Sequence, residues 1–77
     1  MIVLYDKSVV NLNNTFEFGW FRDEVFFNPG GGESATVVMH VGDHAEACFD
    51  RIVKGLLEGN LLVNLNSYVD FLEETKI

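Results

Sequence analysis

Cysteine is nearly absent from this chain: Cys48 stands alone, so no disulfide can close within it. A lone thiol suits a reducing compartment, and a cytoplasmic location is expected. Proline occurs once, at Pro29, which leaves glycine and asparagine to punctuate the chain. Long apolar runs are missing as well. Met1 to Tyr5 is apolar, but Asp6 and Lys7 end the run well short of a secretory leader. No stretch approaches the roughly eighteen apolar residues of a membrane helix, so no membrane partner is expected. Basic residues are scarce: five Lys and Arg stand against twelve acids, for a net charge of −7. A surface of that sign repels phosphate backbones and anionic lipid, which argues against direct nucleic-acid binding.

The residues that are present describe one small globular domain over 1–77. The chain has 77 residues, 48% of them hydrophobic, with seven Phe, two Tyr and one Trp. That is apolar enough for a packed core but too short for two cores. Strand patterns fill the first half. Ile2 to Tyr5 and Ser8 to Leu12 read as a hairpin around Asp6-Lys7, and Asn13-Asn14 makes the next turn. Thr15 to Arg22 alternates, with Phe16, Phe18 and Trp20 on one side and Phe21 on the other. Arg22-Asp23-Glu24 turns the chain into a strand over Glu24 to Asn28. A glycine loop, Gly30-Gly31-Gly32, then leads to a strand over Ser34 to Val41.

The second half carries the helix. Asp43 with Glu46 has capping-box spacing. Ala45, Cys48, Phe49, Ile52, Val53, Leu56 and Leu57 recur at three- and four-residue intervals as one apolar stripe. Gly59 or Asn60 supplies the left-handed stop, and Gly55 marks a close approach to the sheet. Leu61 to Leu65 reads as a further strand. A short terminal helix follows, capped by Ser67 and showing Tyr68, Phe71 and Leu72 on its apolar side. The expected fold is α+β: an antiparallel meander of four or five strands, one amphipathic helix on a face, and a short terminal element. There is also an echo, Val10-Asn11-Leu12-Asn13 recurring as Val63-Asn64-Leu65-Asn66. Both copies read as apolar side chains turned inward and asparagines outward before a turn.

No constellation carries a specific chemistry. His40, His44 and Cys48 are the one candidate metal set, with His44 and Cys48 a helical turn apart. Cys48 lies inside the apolar stripe, however, and no second cysteine supports it, so packing is the better reading. The same pair lacks the third group and oxyanion hole of a nucleophilic site. The glycine loop precedes a strand and has no lysine, unlike a phosphate loop. Asp23-Glu24 and Glu73-Glu74 are adjacent acids that read as solvated charge in a turn or at a chain end, not as a general acid–base pair. Neither catalysis, metal nor cofactor is expected.

What remains is apolar surface. One helix covers one side of a sheet, which leaves Phe21, Phe26 and Val38 on the other unless the terminal segment folds across them. The expected function is therefore a non-catalytic protein–protein interaction or regulatory module that forms a homodimer or binds another protein through Phe21, Phe26 and Val38. The alternative is an acidic inhibitor that occupies the basic nucleic-acid groove of another protein, with charge complementarity steering the encounter.

Overall fold

In the computed structural model, residues 1–30 and 35–75 are described. The Gly31–Ser34 part of the expected loop and strand lies outside them. The fold is α+β, with two sheets of three strands and two helices.

The first sheet begins with β1 (Ile2–Tyr5) and β2 (Ser8–Asn11), an antiparallel hairpin. Its two-residue turn is entered through Asp6 at φ +52°, a left-handed conformation that Asp tolerates better than most residues. β6 (Leu62–Asn64) completes the sheet by pairing parallel to β1, giving the order β2-β1-β6. Val3 is thereby flanked by Val10 on one side and Val63 on the other, and all three are buried.

The second sheet is antiparallel in the order β3-β4-β5, formed by Thr15–Phe21, Glu24–Pro29 and Val37–His40. A single meander is thus corrected to two sheets. A 3-10 turn over Leu12–Asn14 carries the chain out of β2 before β3 starts, so the hairpins cannot share a ladder. The open edge of β1 is filled by β6 instead. β5 ends where the Asp23 carbonyl accepts from the amides of Val41 and Gly42.

Helix α1 (Ala45–Leu57) packs against β3 and β4 of one sheet and β6 of the other. Its buried stripe includes Cys48 and Ile52. The expected Asp43 cap is displaced by one residue. A 3-10 turn over Gly42–His44 precedes the helix, and His44 takes the N-cap position without a side-chain capping bond. The exit matches its expectation. Gly59 has φ +74°, its amide bonds the Leu56 carbonyl, and the Asn60 amide bonds the Gly55 carbonyl, a Schellman arrangement.

Helix α2 (Leu65–Glu74) packs on β1 and α1. Its cap is Asn64, whose Oδ1 accepts from the amides of Asn66 and Ser67, in place of the expected Ser67. Asn11 caps the 3-10 turn in the same way, bonding the Asn13 amide at 2.9 Å. The sequence echo is therefore one local device used twice: a strand ends in a buried valine, an asparagine caps, and a helical turn begins. No helix among the described residues is long and apolar enough to cross a membrane.

Candidate interaction face

The turn at Arg22-Asp23 fixes the whole face of the second sheet. With only two residues in the turn, Phe21 and Glu24 must form a hydrogen-bonded pair. The pairs Gly19–Phe26 and Glu17–Asn28 follow at intervals of two. β5 adds His40 opposite Glu24 and Val38 opposite Phe26. Directly opposed side chains share a face, so Phe21, Phe26 and Val38 stand together on the outside.

The inner face carries the core. Val25 and Phe27 of β4 and Met39 of β5 are buried there. Phe18 stacks on Phe27 at 6.0 Å between ring centroids and tilts against Phe49 of α1 at 5.5 Å. The expectation that Phe16, Phe18 and Trp20 all turn inward needs correction. A register shift between Thr15 and Glu17 throws Phe16 out of the alternation and leaves it 83% exposed. Trp20 shares the inner side with Val25 but remains 42% exposed at the edge.

The outer face is banded. Across one end runs a polar row: Asn28 Nδ2 donates to Glu17 Oε1 at 2.8 Å, and Thr36 Oγ1 donates to Asn28 Oδ1 at 2.7 Å. Near the other end His40 Nδ1 lies 3.4 Å from Glu24 Oε2. Between them is an apolar band of Gly19, Phe26 and Val38, continued by Phe21, which is 59% exposed. Phe26 lies across Gly19 so closely that a β-carbon there would sit 2.9 Å from its Cζ. Arg22 holds its guanidinium carbon 5.2 Å from the centre of the Phe21 ring. The terminal helix does not fold across this band, since α2 lies against β1 and α1, with Tyr68 and Val69 packed on the core.

His40, His44 and Cys48 are not brought together. The His40 side chain is 70% exposed on the outer face. His44 is buried at the start of α1, where its Nε2 meets Glu73 Oε1 of α2 at 2.8 Å. Cys48 is wholly buried in the core, and desolvation pushes its thiol up to about 11. A reactive cysteine needs the opposite shift. Asp23, Glu24 and His40 do place ligand atoms within 4.8 Å of one another at a corner of the outer face. They are largely exposed, and a carboxylate–imidazole contact accounts for the grouping.

A shallow groove of about 280 Å³ opens between the two sheets, lined by Val9, Val10, Asn11, Phe27, Pro29 and Val37 among others. Among the described residues no titratable side chain lines it, so they offer it no acid, base or metal ligand. The polar rows beside the apolar band escaped the reading of individual strands. Register was the signal that could have found them. Once Arg22-Asp23 is taken as a two-residue turn, counting outward sets Glu17 opposite Asn28.

In comparisons with known proteins the chain matches no family model, no curated protein and no solved structure.

Proposed function

We propose that this chain is a non-catalytic protein–protein interaction module that self-associates through the second sheet. The observation that carries this reading is the apolar band of Phe21, Phe26 and Val38, left uncovered by either helix and flanked by the hydrogen-bonded Glu17–Asn28–Thr36 row and the Glu24–His40 contact. A stripe rimmed by satisfied polar groups is how contact surfaces are commonly built. In a chain of net charge −7 the Gly19–Phe26–Val38 row carries no acid, and the Glu24 carboxylate opposite Phe21 is turned to His40.

Light scattering over a concentration series tests it, comparing the native chain with Phe21→Glu. The native protein is expected to gain mass with concentration, and the variant to remain at the monomer mass. Equal masses for the two at every concentration would remove this surface from the function.

A further inference from the structure

We infer that two copies join edge to edge through β3, making one continuous six-stranded antiparallel sheet. This rests on the self-association proposed above and specifies its geometry. β3 is the longest strand, seven residues, and it lies at the edge of its sheet. Glu17, Gly19 and Phe21 spend their backbone groups on β4, so the amides and carbonyls of Phe18 and Trp20 point away from the ladder. Among the described residues no segment pairs with them. Long edges of this kind are usually blunted by lysine, proline, shortness or a bulge, and the β3 bulge lies between Thr15 and Glu17, before the stretch that would pair. Between Glu17 and Phe21 there is neither lysine nor proline.

The occupant is a second copy because charge selects a self-complementary register. Gly19 opposite Gly19 of the second copy sets Phe18 against the second copy's Trp20, twice by symmetry, for about four backbone hydrogen bonds. Glu17 then stands opposite the second copy's Phe21, on whose ring the Arg22 guanidinium rests. Glu17 has committed only Oε1, to Asn28, so Oε2 can accept from that guanidinium. Neighbouring registers lack this. One puts Glu17 against itself, another puts it against Asp23, and a third brings the bulged Phe16 opposite Trp20. In the chosen register the Val38–Phe26–Gly19 row runs on into its symmetry mate, doubling the apolar band. An absent side chain at Gly19 lets the two Phe26 rings approach the junction from both sides.

The experiment is a charge exchange read by light scattering and native mass spectrometry. Glu17→Arg alone and Arg22→Glu alone are each expected to weaken self-association about tenfold, since two symmetric pairs turn repulsive. Mixing the two variants restores both pairs, so heterodimer is expected to exceed either homodimer. Amide exchange gives a second reading on the native chain. Phe18 and Trp20 slow with rising concentration, while Gly19 and Phe21, already bonded to β4, do not change. A native protein that stays monomeric overturns this inference and the proposed function together. A native dimer indifferent to both charge variants, with no concentration-dependent protection at Phe18 and Trp20, overturns the edge pairing alone and leaves the face-mediated reading standing.

Discussion

The first sheet draws its strands from opposite halves of the chain, with β1 and β2 near the start and β6 about sixty residues after β1. The second takes three consecutive strands in order. Turn chemistry fixes the second sheet, because a two-residue turn determines every pair that follows it. Burial and capping fix the first. Val63 completes the cover of Val3, and the α2 cap passes the chain on so that Asn66 Oδ1 receives the Asp6 amide at 2.8 Å. Sheets of similar size are thus specified by different physics, one by local geometry and one by a distant buried match.

Three comparisons break or sharpen that contrast, from the largest effect to the smallest. The two sheets share α1, and alkali attacks what they share. The Cys48 thiol rises from 9.0 to about 11 in the folded chain because burial disfavours the thiolate. Its folded value exceeds the unfolded one, so the contribution is intact below pH 9 and is lost as pH rises through 11. Two units correspond to about 3 kcal/mol. Denaturant melts at pH 8 and pH 11 check this against Cys48→Ala, which has no thiol and should lose less. Parallel losses would acquit the thiol.

Glycine separates the sheets next. Gly55→Ala offers the helix about 1 kcal/mol, but its β-carbon would sit 2.8 Å from Met1 Cε and 2.9 Å from Val63 Cγ2. Val63 is stiff and buried, so crowding at about 1–3 kcal/mol outweighs the gain, and thermal melts should show a lower Tm. Gly19→Ala meets only the half-buried Phe26 ring, which can swing outward, and should stay within about 0.5 kcal/mol. A higher Tm for Gly55→Ala would refute the packing account of the first sheet.

The echoed asparagines give the finest comparison. Asn64→Ala removes the acceptor of two amides at the start of a ten-residue helix and should cost about 1 kcal/mol in urea melts. Asn11→Ala removes one bond in a three-residue turn and should cost less. Equal losses would mean that the two copies do not differ in the way their lengths suggest.

These contrasts explain which features were legible in the sequence. The hairpins, the α1 stripe from Ala45 to Val53, the Gly59 stop and the close approach at Gly55 all depend on neighbours in the chain, whereas Leu56 and Leu57, expected on the same stripe, are exposed. Alternation alone set Phe21, Phe26 and Val38 on one side. The parallel pairing of β1 with β6 leaves no local trace, since Leu62-Val63-Asn64 reads the same whichever strand it joins. The bulge at Phe16 was hidden for a related reason: a single displaced residue keeps its aromatic identity while losing its place in the alternation. Asn64 was overlooked as a cap because it was counted as part of the strand it terminates.

The parallel pairing of β1 also dictates an order of events. Loop closure across about sixty residues is slow compared with the formation of neighbouring hairpins. During synthesis the β1–β2 hairpin must therefore wait with Val3 covered on one flank only, while the second sheet can assemble ahead of it. The last strand to arrive is the one that seals the first.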